Sequence, residues 1–94
     1  MPFLLKENIF YPLTNLVKIT VFITPKKTVL DPQGETVGHA MVSLGYAATS
    51  VRVGKTVTFD IEAEDSPDFR KSLDKLCYDL LSNPVIEDYR YEIN

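Results

Sequence analysis

Apolar and polar side chains alternate along residues 17–24, VKITVFIT. Successive side chains of a β-strand point to opposite faces, so this period of two predicts a half-buried strand. Its apolar side is formed by Val17, Ile19, Val21 and Ile23. Phe22 is the exception, since it places an aromatic ring on the otherwise polar face.

A helix is predicted over about 32–44, where the apolar period becomes that of an α-helix. Asp31 is a favourable N-cap, Pro32 suits the first helical position, and Gly45 suits a left-handed residue after the last turn. Helical spacing gathers the apolar side chains into one stripe: Val37, Ala40, Met41 and Leu44.

Two strands joined as a hairpin are predicted next. The segments TSVRV (49–53) and TVTFDIEA (56–63) alternate in the same way and are separated by Gly54 and Lys55. A short connection that contains glycine between two such runs is typical of a β-hairpin.

The last part of the chain predicts a second helix and a fourth strand. Ser66 suits the N-cap, Pro67 the first position, and Asp68 the positive end of the helix dipole. The helix should end before Pro84, because a proline disfavours helical geometry in the residue that precedes it. Its buried stripe is predicted to be Phe69, Leu73, Leu76, Cys77 and Leu80. Residues 85–93, VIEDYRYEI, then form the strand.

The predicted order βαββαβ is typical of an α+β, ferredoxin-like sandwich, in which an antiparallel sheet carries two helices on one face. Residues 17–94 form this domain, and residues 1–16 form an N-terminal arm. The arm contains two prolines, which argue against a continuous helix. Its large apolar side chains predict that it packs onto the domain or a neighbouring chain: Phe3, Leu4, Leu5, Ile9, Phe10 and Tyr11.

Composition narrows the class of protein. The 94 residues fit one compact domain, and 45% hydrophobic with 24% charged residues is ordinary for a globular protein. The net charge of −3 gives no general attraction to nucleic acid or to an anionic membrane. No apolar run approaches the roughly 18 residues of a membrane span. The single cysteine excludes an intrachain disulfide and favours a cytoplasmic location.

The loop before the first helix resembles an anion site, but its chemistry favours a helix cap. Asp31 would place a negative charge where a phosphate would bind. His39 lies about 160° around the helix from Val37, which predicts a solvent-facing or interface position rather than a catalytic base. Cys77 lies in the buried stripe and is interpreted as an inert core thiol.

Four acids cluster near the start of the second helix: Glu62, Glu64, Asp65 and Asp68. A site for a hard cation is one interpretation, but a solvated turn that complements the helix dipole explains them better. Aromatic and basic residues do not interleave as in RNA-binding proteins. We therefore assign no catalytic, cofactor-binding or metal-binding residue in this chain.

Gly34 and Gly38 are one helical turn apart. A glycine inside a helix costs roughly 1 kcal/mol relative to alanine, so two of them need a reason. One reason is tolerance in a helix that is otherwise well packed. The other is close approach by another backbone, from the second helix or from a second chain.

Four segments carry a resemblance to a known family: TVLDPQGETV, SLGY, VRVGK and NPVIEDYRYEI. They resemble the small PurS subunits of bacterial and archaeal phosphoribosylformylglycinamidine synthase. The similarity runs from about Val17 to Ile93. Family members usually begin at the first strand, so residues 1–16 are either a lineage-specific addition or the result of an assigned start codon too far upstream.

The resemblance implies a non-catalytic subunit in de novo purine synthesis. It implies a homodimer or tetramer that bridges the PurL synthetase and PurQ glutaminase subunits and supports ammonia transfer between them. ATP and magnesium would then belong to the synthetase subunit. The candidate interface or motif residues are Asp31, Gly34, Gly38, Arg52, Lys55, Asn83 and Pro84.

Two other classes remain open on the residues alone. An ACT-like regulatory domain shares the βαββαβ order and would bind an amino acid near residues 31–34. A small acylphosphatase-like enzyme would need a phosphate-binding loop with an arginine after the first strand, which PKKTVLDPQG does not supply.

Overall fold

The computed structural model describes residues 16–94, which form an antiparallel sheet of three strands and two helices. In chain order the elements are β1 (Leu16–Pro25), α1 (Pro32–Ser43), β2 (Lys55–Glu62), α2 (Pro67–Leu76) with a π-helical turn (Cys77–Leu81), and β3 (Glu87–Ile93). The predicted strand over 17–24 is thus confirmed and begins one residue earlier. The predicted arm, apart from Leu16, lies outside the described residues.

β1 is the central strand, because the sheet has the order β2-β1-β3 and both pairings are antiparallel. Ile19 of β1 lies opposite Phe59 of β2 on one side and Ile93 of β3 on the other. The fully buried residues come from β1 and from the α2 region: Ile19, Val21, Ile23, Leu73 and Cys77. The core therefore lies between the central strand and α2.

The predicted α+β, ferredoxin-like class is confirmed, but within residues 16–94 the sheet has three strands rather than four. Residues 49–53 form no strand, so the predicted hairpin through Gly54 and Lys55 is wrong. The backbone N–H of Val53 donates to the Asp31 carboxylate at 2.9 Å, and β2 pairs with β1 instead. The Val53 N–H, which a hairpin would use for pairing between strands, is therefore bound by the side chain of Asp31, a residue distant in the sequence.

The predicted ends of α1 are confirmed. Asp31 is the N-cap, and its carboxylate accepts the Gly34 N–H at 3.1 Å. At the other end, Gly45 has a φ of +99°, and its N–H donates to the Val42 carbonyl. The Tyr46 N–H donates to the Met41 carbonyl, which completes a Schellman motif.

The N-cap of the second helix is Ser66, as predicted, and its hydroxyl accepts the Phe69 N–H at 3.1 Å. Four of the five stripe residues pack in or against the core, but Leu80 is 72% exposed, so its predicted burial is wrong. The π-helical turn explains the difference. A π turn contains more residues than an α turn, so it shifts the following side chains around the axis and places Leu81 against the core instead.

The fourth predicted strand exists as β3, although it starts at Glu87 rather than at Val85. Residues 83–86 form the turn that precedes it. No helix of the described part of the chain combines the length and the apolar character that crossing a membrane requires.

Candidate functional site

Asp31 joins α1 to the segment that follows it. One carboxylate oxygen accepts the Gly34 N–H at 3.1 Å, and the other accepts the Val53 N–H at 2.9 Å. We call this arrangement, with Asp31, Gly34, Val51, Arg52 and Val53, the α1 clamp. It holds residues 51–53 against the first turn of the helix.

The pKa of Asp31 is lowered from its ordinary value, chiefly by the hydrogen bond from Val53 and next by that from Gly34. The positive charge of Arg52 lowers this pKa further, whereas partial desolvation opposes the shift. The carboxylate is therefore ionised near neutral pH, and both of its oxygens have backbone donors. The Asp31 carboxylate therefore has a structural role and is not available to transfer protons.

Arg52 holds the loop between β1 and α1. Its guanidinium donates to the Val29 carbonyl and to the Lys27 carbonyl, each at 2.7 Å. The planar fork of arginine suits this pairing with two acceptors. Hence Asp31 and Arg52, two of the charged residues in the sequence motifs, both bind the backbone of their own chain.

Gly34 is required by close approach within the same chain. A Cβ atom at this position would lie 2.5 Å from both the Val51 carbonyl oxygen and the Asp31 carboxylate. A Cβ at Gly38 would meet the Val51 side chain at 3.4 Å, which is ordinary contact. The approaching segment is therefore Val51, which is neither the second helix nor a second chain.

An open groove of about 300 Å³ lies between α1 and residues 48–52. His39 and Val42 line one side, and Thr49 and Ser50 line the other. Two of the charged residues that line it, Asp31 and Arg52, already bind backbone groups, whereas Glu35 is exposed. The lining includes the hydroxyls of Thr49 and Ser50 as well as His39. Among the described residues no hydrogen bond joins either hydroxyl to the imidazole, so the groove holds no assembled pair of nucleophile and general base.

Three of the seven candidates, Asp31, Gly34 and Arg52, belong to the clamp, and Gly38 lies beside it against Val51. The remaining three lie elsewhere. Lys55 is exposed at the start of β2. Asn83 shapes the turn before β3: its side chain accepts the Val85 N–H at 3.2 Å, and its own N–H donates to Glu87 at 2.7 Å. Pro84 lies inside the same turn. The structure thus brings together four of the seven candidates.

The acidic cluster has a structural explanation. Asp65 binds Arg70 through two hydrogen bonds of 2.7 Å, and this pairing lowers the pKa of Asp65. Within residues 16–94, no three His, Cys, Asp or Glu side chains are grouped so that they could hold a metal ion. Cys77 is fully buried, and its burial raises the pKa of the thiol.

Sequence reasoning missed the partners in the clamp. They are backbone groups of Lys27, Val29, Val51 and Val53, and no side-chain pattern marks a backbone donor or acceptor. The positions of Asp31 and Arg52 in the sequence do not indicate that both side chains bind backbone groups in the same small region.

Known proteins resemble this chain over the region just described. The family model for PurS, phosphoribosylformylglycinamidine (FGAM) synthase, matches residues 18–94. The PurS subunit of Bacillus subtilis (strain 168) is 43% identical over 79 residues, which cover 83% of this chain and 93% of that protein.

Solved structures of similar proteins share the fold. A crystal structure of B. subtilis PurS is 43% identical, has a TM-score of 0.73, and covers 83% of this chain and 98% of that chain. A chain in the structure of PurLQS from Thermotoga maritima is 30% identical, has a TM-score of 0.73, and covers 84% and 98% respectively. The chain belongs to the PurS family, the PurS subunits of phosphoribosylformylglycinamidine synthase.

Proposed function

We propose that the chain is a non-catalytic assembly subunit of phosphoribosylformylglycinamidine synthase in de novo purine (IMP) biosynthesis. It bridges the PurL synthetase and PurQ glutaminase subunits and supports the transfer of ammonia from one to the other. The observation that carries this proposal is the α1 clamp. Its ionised residues, Asp31 and Arg52, are both occupied by backbone groups, as suits a scaffold rather than a reaction centre.

The similarity to a chain of the T. maritima PurLQS structure supports the choice of partners. We further propose that the chain acts in the cytoplasm as a homodimer or tetramer. In this scheme ATP and magnesium bind to the synthetase subunit rather than to this chain.

A reconstitution with the purified synthetase and glutaminase subunits tests the proposal. We expect no amidine formation by this chain alone, and glutamine-dependent amidine formation only when all three proteins are present. Ammonium chloride is the matched control, because ammonia in solution bypasses transfer between subunits. The chain should therefore raise the glutamine-dependent rate much more than the ammonium-dependent rate. Full glutamine-dependent activity without it would contradict the proposal.

The alternative role, an ACT-like domain that binds an amino acid near Asp31, finds less support. The Val51 carbonyl and the Asp31 side chain already fill the space beside Gly34. Thermal unfolding in the presence of each of the common amino acids should therefore leave the melting temperature unchanged. A saturable rise with one of them would favour the ACT-like role.

A further inference from the structure

Three large apolar side chains are exposed where α2 ends and β3 begins. Tyr78 is 57% exposed, Val85 79% and Ile86 41%. Val85 and Ile86 lie in the turn over residues 83–86, and Tyr78 lies in the π-helical turn that precedes it. We call these three residues the β3 corner.

Tyr78 lies on the side of α2 that faces β3. The Tyr89 hydroxyl of β3 donates to the Asp74 carboxylate of α2 at 3.3 Å. The short turn between α2 and β3 reverses the chain, so the two elements run in opposite directions. Four helical residues advance about 6 Å and two strand residues advance about 6.7 Å. Tyr78, four residues after Asp74, is therefore level with Glu87, two residues before Tyr89.

Hydrogen bonds hold the backbone of the β3 corner in place. The Asn83 side chain accepts the Val85 N–H at 3.2 Å, and the Asn83 carbonyl accepts the Ile86 N–H at 3.0 Å. The Ile86 carbonyl accepts the Lys26 N–H at 2.9 Å. Side chains on a backbone that is already fixed lose less freedom when a partner binds them. Asn83, a candidate interface residue outside the α1 clamp, thus helps to present this surface.

Two carboxylates border the β3 corner. Asp74 lies one helical turn before it, and Glu87 follows it directly. No ion pair within residues 16–94 includes either of them. Lys75, the residue after Asp74, binds Asp79 instead, at 2.8 Å. The corner therefore combines exposed apolar side chains with negative charge that no neighbouring cation pairs.

This charge indicates which kind of partner fits. A two-fold axis brings identical residues together, so in a contact between two copies Asp74 and Glu87 would face carboxylates of their own kind. A lysine or arginine side chain is attracted by both carboxylates, and its cationic group can also lie over the Tyr78 ring. Three side chains supply only part of the roughly 800 Å² that each partner buries in a standard interface, so they suit its centre.

We propose that the β3 corner binds a different protein, through a surface on which apolar side chains surround a lysine or an arginine. Tyr78 is the central contact, since a tyrosine at the centre of an interface commonly contributes much of the binding free energy. This inference rests on the proposed function, in which the chain holds two other subunits together. It deepens that function by naming a surface and the chemistry of its partner.

Sedimentation velocity of the full chain, mixed with the purified synthetase and glutaminase subunits, tests this surface. Val85→Lys places a positive charge in the β3 corner. Thr58→Lys places the same charge on the face of the sheet opposite α2, at an exposed residue that is also β-branched. We expect Val85→Lys to weaken binding to the assembly about tenfold or more, and Thr58→Lys to change it less than about twofold. Each variant alone should keep the circular dichroism spectrum and the oligomeric state of the wild type.

A second pair of variants tests the aromatic ring. Tyr78→Ala removes the ring and should weaken the same binding about tenfold or more. Tyr78→Phe keeps the apolar surface and the π face, so its affinity should stay close to that of the wild type.

Photo-cross-linking supplies a measurement that does not depend on a change in affinity. Val85→Cys labelled with a benzophenone maleimide should form a covalent product with the synthetase or the glutaminase, whereas labelled Thr58→Cys should not. The native Cys77 is fully buried and should not be labelled in the folded protein.

The outcomes separate this surface from the proposed function. A wild-type chain that joins neither subunit would overturn the bridging role and this surface with it. A chain that joins the assembly equally well as wild type and as Val85→Lys, and forms no cross-link through residue 85, would overturn this surface alone. Cross-links from residue 85 to a second copy of the chain would also overturn it, because the corner would then be a contact between copies.

Discussion

The Val53 N–H donates to the Asp31 carboxylate at 2.9 Å, and this bond joins residues that are 22 positions apart. The same carboxylate caps α1 through Gly34. One side chain therefore fixes both the start of the helix and the course of the segment that leaves it. The sequence pattern around Asp31 suggests only the first of these tasks.

Replacement of Asp31 by asparagine should destabilise the fold. The amide oxygen can accept one of the two backbone donors, but the amide nitrogen then faces the other. We expect a lower urea midpoint with an unchanged slope. Asp60→Asn is the control, because Asp60 is exposed and lies 4.0 Å from Lys18. An equal loss in both variants would mean that the clamp has no special role.

Acid should weaken the wild-type fold through Asp31 and Asp65. Both carboxyls have pKa values below their ordinary value in the folded chain, because backbone groups bind the first and Arg70 binds the second. Folding therefore favours the ionised forms. This contribution is complete above the unfolded-state pKa, roughly pH 4, and is lost as the pH falls through the lower folded-state values.

Urea titrations at several pH values between 6 and 2 measure this loss. The difference between wild type and Asp31→Asn should shrink as the pH falls, since both side chains are neutral in strong acid. A difference that stays constant across this range would show that ionisation of Asp31 does not stabilise the fold.

Alanine at Gly34 and alanine at Gly38 should have opposite effects. At Gly34 the new methyl group would collide with the Val51 carbonyl, and such overpacking costs about 1–3 kcal/mol. At Gly38 the contact is ordinary, so the gain in helix propensity, up to roughly 1 kcal/mol, should dominate. Thermal unfolding of the two variants would decide. Stabilisation by both would place Val51 farther from the helix than the structure has it.

The π-helical turn predicts different costs for two adjacent leucines. Leu81 packs against the core and Leu80 is mostly exposed. Leu81→Ala should therefore lower the free energy of unfolding by about 1–2 kcal/mol, less than a fully buried leucine. Leu80→Ala should change it by less than roughly 0.5 kcal/mol. The reverse order in chemical denaturation would indicate that the helix continues with α-helical spacing through both residues.

Local rules account for what could be predicted. The caps at Asp31 and Ser66, the end at Gly45 and the alternation along β1 each depend on neighbours within a few residues. The mistaken strand over 49–53 had the same kind of alternation, through Val51 and Val53, but the decisive interaction comes from distant Asp31. The exposure of Leu80 could not be predicted in this way. It results from the π-helical turn, which is recognised by its backbone hydrogen bonds and not by a pattern of side chains.

The candidate site, like the fold, could be predicted only in part. Sequence motifs placed Asp31, Gly34 and Arg52 in the candidate set, the cost of a glycine inside a helix added Gly38, and the structure brings these four together. Their partners could not be predicted, since Arg52 and Asp31 both bind backbone atoms across the loops. The close approach at Gly34 was one of two interpretations, and the approaching residue was not among those considered.

The central position of β1 determines when the sheet can be completed during protein synthesis. Ile19 pairs with Ile93 and Pro25 with Glu87, so β1 is made first but gains its second neighbour only from the strand that is made last. Pairings this distant in sequence slow folding, because the loop between them must be closed first. A nascent chain that has reached β2 can form half of the sheet, with one side of its most buried strand still unpaired. The growing polypeptide is therefore at greatest risk of intermolecular strand pairing just before β3 leaves the ribosome.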